Sequence, residues 1–301
     1  MLPRFRLAAV AILVSSLVFA NVGCRIWRPG KISLSALESS QRSYREAEAA
    51  YKTKDHDKAE SLVKQAVQKN PRDEDAKVLY AKILWDKGER KEALDILVPC
   101  AKSDDVSAEL LIELSQMLLS INNLYDARYT IGKGTIKYPN NPQIWMIRAR
   151  YFEKRGNVDQ AIADMHRSLS LDPGQNNVRM ELAEFYLKSS QPQRALETVQ
   201  YALSQMSPGD EPLDAMLLEG RAFFALNRFN NAEKTFRLAL QKSNTNPDIY
   251  FYIAYSEFQQ NRLREASQSA TAGLNINPNH SGCRDILNQI ELSSRQNPQA
   301  R

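Results

Sequence analysis

The sequence predicts an all-α solenoid of seven helix–turn–helix units closed by a C-terminal capping helix. Three observations carry this. An alanine returns every 34 residues, at Ala59, Ala93, Ala127, Ala161 and Ala195, and then, after one three-residue slip, at Ala232 and Ala266. Four residues after each, on the same helical face, stand Val63, Leu97, Ile131, Met165, Val199, Phe236 and Ala270. Prolines close several of the units at one shared place: Pro71, Pro139, Pro173 and Pro278. A fixed period of this length means stacked small units rather than one globular core.

Each unit is numbered from 1 to 34 so that the alanine falls at position 20. The first helix carries a small residue at position 8, where two helix backbones approach: Ala47, Ala81, Ser115, Ala149, Ala183, Gly220 and Ala254. Position 11 is large at Leu84, Leu118, Phe152, Tyr186 and Phe223. Asn141-Pro142 and Asn246-Pro247 each place a capping side chain before a proline at the first helical position. The turn between helices falls at position 15. It holds Gly88 and Gly156, or Asn122, Asn227 and Asn261, the residues that best tolerate a left-handed backbone.

The second helix adds a small residue at position 27: Ala66, Cys100, Gly134, Ser168, Ala202, Ala239 and Gly273. Proline at position 32 ends it, because the ring cannot extend the hydrogen-bond ladder. A stack leaves its last apolar face uncovered, and residues 281–294 place Ile286, Leu287, Ile290 and Leu292 among polar residues, which suits a cap. Residues 295–301 read as a polar tail.

These residues resemble the tetratricopeptide repeat, with bulky residues at 4 and 11, small at 8, Gly at 15, Ala at 20, small at 27 and Pro at 32. Trp145 to Pro173 follows nearly all of the pattern. The resemblance implies a right-handed superhelix with repeats at 40–73, 74–107, 108–141, 142–175, 176–212, 213–246 and 247–280. Asp105 departs at the proline place of the second repeat, and Glu46, Arg148 and Glu219 depart at position 7.

Residues 1–23 read as an export signal. Arg4 and Arg6 precede an uncharged run from Leu7 to Ala20, followed by Asn21-Val22-Gly23-Cys24. The run is short for a membrane span. Its end resembles the bacterial lipoprotein cleavage motif, which implies lipidation (diacyl, palmitate-like) of Cys24 and a tether over 24–39; Asn21 stands where that family usually has Leu. An uncleaved signal anchor, which would hold the chain in the inner membrane, and plain secretion are the alternatives. Arg25 in place of an aspartate retention cue points to the outer membrane, facing the periplasm.

Composition narrows function further. Lys and Arg number 40 against 35 Asp and Glu; without Arg4 and Arg6, the only charges before Cys24, the balance is 38 to 35. Such near neutrality indicates no nucleic-acid partner, and an RNA-binding helical repeat is the weakest reading. Cys100 and Cys283 lie too far apart in an extended stack for a disulfide, and Cys100, at a small packing position, is expected to be a buried apolar side chain. His56, His166 and His280 fall in different repeats with no metal-ligand spacing. No catalytic motif, cofactor, metal site or small-molecule substrate is expected.

Binding remains. The resemblance implies that first helices line a concave groove, with positions 2, 5, 9, 12 and 13 pointing into it. Position 5 reads Tyr44, Val78, Ile112, Met146, Met180, Leu217 and Phe251; position 12 reads Tyr51, Trp85, Leu119, Glu153, Leu187, Phe224 and Phe258. With Tyr255 at position 9, the apolar members form either a partner-binding stripe or support for the core. Leu217, Phe224, Phe251, Tyr255 and Phe258 are the richest patch. The expected function is a membrane-tethered adaptor that binds a peptide segment or helix of an envelope protein in the groove and assists assembly of a complex. Similarity to bacterial repeat lipoproteins implicated in pilus or outer-membrane assembly agrees with this class. A self-associating spacer is the alternative.

Overall fold

The computed structural model describes residues 33–207 and 209–296, all of them helix, turn or coil without a strand. Cys24, the apolar run before it and residues 297–301 lie outside the described residues. Fifteen helices follow one another. The first helices of the repeats are α1 (Leu34–Lys52), α3 (Glu74–Asp86), α5 (Ala108–Ser120), α7 (Pro142–Lys154), α9 (Asn176–Lys188), α11 (Leu213–Ala225) and α13 (Pro247–Gln259). Their partners are α2 (His56–Lys69), α4 (Arg90–Cys100), α6 (Leu124–Lys137), α8 (Val158–Leu171), α10 (Pro192–Ser204), α12 (Phe229–Lys242) and α14 (Leu263–Ile276), and α15 (Ser281–Gln296) ends the stack.

Two expected boundaries move. Helix α1 begins at Leu34, so the last residues assigned to a tether are helical, with Ser33 capping the backbone N–H of Ala36. Helix α15 runs to Gln296, two residues into the expected tail.

Every residue at position 15 has a left-handed backbone: Lys54, Gly88, Asn122, Gly156, Ser190, Asn227 and Asn261. The hydrogen bonds explain why. At each turn the residue itself donates three residues back, as Asn122 N does to Leu119 O at 3.1 Å, and the next residue donates five back, as Asn123 N does to Leu118 O at 2.8 Å. This pair of bonds satisfies the orphan carbonyls at the end of each first helix and reverses the chain.

The repeating alanines lie at the pair interface, and all seven are fully buried. So are Val63, Leu97, Met165, Val199, Phe236 and Ala270 at position 24, with Ile131 at 4%. Small residues at position 27 are required by neighbours: a β-carbon on Gly134 would stand 2.8 Å from Ile144 Cδ1, and one on Gly273 2.7 Å from Cys283 Sγ. Cys100 corrects the expectation of burial. It is only half-buried, because α4 carries Pro99 in its last turn and stops at Cys100, where Lys77 Nζ approaches Sγ at 3.5 Å.

Prolines 71, 139, 173 and 278 each follow the C-cap residue of a second helix. The carbonyls of the last three recruit donors from position 4 of the next helix: Trp145 Nε1 to Pro139 O at 2.7 Å, Arg284 Nη2 to Pro278 O at 2.9 Å, and Arg179 to Pro173. Arg148, a departure at position 7, grips the buried Asp164 through two bonds of 2.6 and 2.7 Å and so ties α7 to α8.

Candidate binding surface

First helices of neighbouring repeats touch one another, α1 on α3, α3 on α5, α5 on α7, α9 on α11 and α11 on α13, which puts them on the inner side of the stack. The predicted groove residues divide into two groups there. Val78, Ile112, Leu119 and Met146 are buried at 3%, 6%, 4% and 7%, so in the middle repeats these residues support the core rather than a groove. They pack sideways into the seam between consecutive first helices, where a long aliphatic chain has more to gain than in water. Tyr44, Tyr51, Trp85, Met180, Leu187, Leu217, Phe224, Phe251, Tyr255 and Phe258 are half-buried, each with part of its surface on the inner face.

The polar inner positions are bonded to one another from repeat to repeat. Lys82 pairs with Glu113 at 2.8 Å, Arg150 with Glu181 at 2.8 Å and Lys188 with Glu153 at 2.5 Å. Tyr51 donates to Asp86 Oδ2 at 2.7 Å; burial and that bond push its hydroxyl well above the usual phenol range. Asp75 titrates above the usual carboxylate range, through burial first and then the neighbouring Asp73, Glu109 and Glu74 charges. Two open clefts lie along this face. One, of about 260 Å³, is walled by Tyr51, Trp85, Asp86 and Glu113; the other, of about 310 Å³, by Met180, Glu184, Leu217 and Arg221.

The C-terminal end of the face is built differently. Phe224 meets Tyr252 at 5.0 Å and Tyr255 at 4.9 Å between ring centroids, both edge-on, and Phe251 lies 6.1 Å from Tyr255. Tyr252 and Tyr255 occupy the places that carry Glu181 and Arg150 elsewhere, so aromatic edges replace the ion pairs. Leu217 and Phe258 flank this group. The chemistry available is apolar insertion, with tyrosine hydroxyls as the only polar handles among these rings.

The histidines stay apart. His166 Nε2 bonds the Tyr186 hydroxyl at 2.6 Å and His280 Nε2 bonds Asp248 Oδ1 at 2.9 Å, while His56 stacks edge-on to Tyr51.

One feature escaped the sequence reading. On the outer side, α6 exposes Tyr125 at 88%, Tyr129 at 59% and Ile136 at 84% around an open cavity of about 670 Å³. Aligning positions 18, 22 and 29 across the repeats would have found it, because the other six carry charged, amide or hydroxyl residues there and a single alanine, Ala163.

The tetratricopeptide repeat profile matches residues 50–108 in one form and 148–211, 180–247 and 217–279 in another, together more than half of the chain. No curated protein sequence matches significantly. Among solved structures, a tetratricopeptide repeat protein from Parabacteroides merdae aligns with TM-score 0.58 at 15% identity, over 84% of this chain and 99% of its own. PilF of Pseudomonas aeruginosa aligns with TM-score 0.60 at 16% identity, over 69% and 94%. YrrB, described as a repeat protein with an unusual peptide-binding site, aligns with TM-score 0.55 at 14% identity, over 64% and 97%. At such identities the likeness is one of fold.

Proposed function

The chain belongs to the tetratricopeptide repeat family, an all-α interaction scaffold, and on that premise we propose that it is a membrane-tethered adaptor holding a segment of an envelope protein on its inner face. The carrying observation is the contrast along that face. From α1 to α9 the inner charges, Asp75 apart, are bonded to each other, while Phe224, Phe251, Tyr255 and Phe258 offer half-exposed apolar edges. An aromatic cluster of this kind gains most from a partner that removes it from water, which is where interface energy concentrates. The peptide-binding site described for YrrB supports a peptide-sized occupant. The tether rests on the lipoprotein-like motif ending at Cys24. Proteins of this fold are generally interaction modules rather than catalysts, which agrees with an adaptor.

The test compares wild type with Phe224→Ser/Phe258→Ser as baits in detergent-solubilised native membranes, with quantitative mass spectrometry as readout. A protein recovered with wild type and lost with the variant, whose helical melting is checked in parallel, supports the reading. Equal recovery by both overturns it. Because Phe224 also braces Phe229 and Tyr252, Phe258→Glu serves as a second variant that leaves those contacts alone.

A further inference from the structure

Among the described residues, the outer face of α6 is the one place where a second helix turns large apolar side chains to water in a continuous stripe. Tyr125, Tyr129 and Ile136 follow one another at helical spacing with Gly132 between them, and all three side chains stand free. A lone exposed apolar side chain needs no explanation, but two tyrosines and an isoleucine on one face where the other repeats are polar do.

Gly132 supplies an independent observation. Glycine inside a helix is destabilising, and in this chain buried helical glycines have a packing reason: Gly134, Gly220 and Gly273 each face a side chain that a β-carbon would strike. A β-carbon on Gly132 would meet nothing within 4 Å. The glycine leaves a notch that this chain does not fill, floored by backbone and walled by Tyr129 and Ile136.

The rim decides what fills it. Arg128 and Lys133 flank the notch. Lys133 donates to the carbonyls of Ala101 at 2.9 Å and Ser103 at 2.7 Å, which hold the ammonium in place without neutralising it. Arg128 has no ion pair among the described residues. Asp126, the acidic member of the rim, lies toward the N-terminal end of the helix and accepts from Asn123 Nδ2 at 2.8 Å. A second copy of this chain is a poor occupant. An antiparallel two-fold pairing of α6 helices centred on Gly132 sets Arg128 opposite Ile136, Lys133 opposite Ile131 and Asp126 opposite Tyr138, so neither cation meets a carboxylate, and a parallel one sets each cation against itself.

We propose that this outer face of α6 is a second docking site, taking an amphipathic helix of a partner protein that seats an apolar side chain over Gly132 and turns Asp or Glu residues toward Arg128 and Lys133. The site lies on the opposite side of the stack from the aromatic inner patch, so the scaffold holds two partners at once. Helix-in-groove recognition of this kind reads apolar anchors at helical spacing and fixes orientation by the flanking charge.

Two synthetic helical peptides with the same leucine stripe test this on the full chain by fluorescence anisotropy. One carries glutamates beside the stripe and the other lysines. The glutamate peptide is expected to bind about tenfold tighter than the lysine peptide. Arg128→Glu/Lys133→Glu reverses that order, Tyr125→Ser/Tyr129→Ser and Gly132→Leu abolish binding of both, and Phe224→Ser/Phe258→Ser leaves both unchanged. Gly132→Leu also raises the melting temperature, which separates a filled notch from a misfolded helix. Equal binding by the two peptides, no binding by either, or binding that survives the tyrosine replacements overturns the proposal. Sedimentation of the chain alone adds one more decisive outcome: a dimer that dissolves on Tyr129→Ser assigns the face to a second copy and overturns it as well.

Discussion

The ring of Phe236 lies against the bare Cα of Gly220, so close that a β-carbon there would stand 2.7 Å from Cζ and 2.8 Å from Cε1. The two residues hold positions 24 and 8 of one repeat, and their sizes trade off: the next repeat fills the same pair of places with Ala254 and Ala270. Gly220→Ala gains about 1 kcal/mol of helix propensity and loses about 1–3 kcal/mol to overpacking, so the net effect is a lower melting temperature. Adding Phe236→Met, the residue type that Met165 provides in the fourth repeat, restores much of the loss. A single variant that melts above wild type would show that the ring moves aside freely.

Lys54 and Ser190 occupy the left-handed turn slot that glycine fills at Gly88 and Gly156. A side chain there costs on the order of 1 kcal/mol, less for asparagine. Lys54→Gly and Ser190→Gly are each expected to stabilise the array by about 0.5–1 kcal/mol, since part of the gain is offset by a more flexible unfolded chain. Thermal melting followed by circular dichroism reads the shift, and a drop on either substitution would contradict the turn assignment.

Two buried glutamates at the α12–α13 boundary are expected to respond to pH in opposite directions. Arg237 bonds Glu233 at 2.9 Å and Glu257 at 2.5 Å, and Arg262 and Gln260 also reach Glu233. Burial raises both carboxyl groups. At Glu257 it prevails over the nearby Ser269 hydroxyl and the Arg237 charge, whereas at Glu233 the bonds from Arg237, Gln260 and Arg262 outweigh it and hold the group below its ordinary 4.5. The charge on Glu233 therefore stabilises above pH 4.5 and its contribution is lost as pH falls through the lowered value; the charge on Glu257 is a cost that disappears as pH falls toward 4.5. At neutral pH, Glu233→Gln lowers stability by about 1.5–3 kcal/mol and Glu257→Gln leaves it unchanged or raised. Melting curves from about pH 2.5 to 8 check both signs.

Leu119 and Phe258 share position 12, yet one is buried and the other is half-open. Leu119→Ala is expected to cost about 2–5 kcal/mol, as for a core leucine, and to leave a peptide bound at the C-terminal patch undisturbed. Phe258→Ala costs less than half as much in urea unfolding but weakens that binding. A mild Leu119→Ala would return the middle repeats to the groove.

Most of the stack was legible because its residues answer to neighbours at constant spacing. An alanine at position 20 and a small residue at position 8 are demanded by backbone approach within the repeat, so Ala59 or Ala254 reports its own environment. Groove exposure is not local in that sense. Whether Ile112 or Phe251 faces water depends on how far the next first helix overlaps it, and that follows from the side chains of two repeats together. Lys54 and Ser190 were missed at the turn because neither residue type advertises a left-handed backbone; the hydrogen-bond frame around them imposes it. The tyrosines of α6 went unread because the frame describes what each repeat needs for stacking, and their position lies outside that need.

The link between α10 and α11 runs over eight residues, 205–212, where several other links have four, and it absorbs the three-residue slip of the repeat. Lys242 pins it from outside by donating to the carbonyls of Gly209 at 2.8 Å and Glu211 at 2.6 Å. The phase of the solenoid is thus kept within the helix pairs, while the joints between them are free to change length. A tag or a whole small domain spliced in after Ser207 would ride on the scaffold without shifting its rungs, whereas the same splice at Ser190 or Asn227 would break the hinge on which a rung folds.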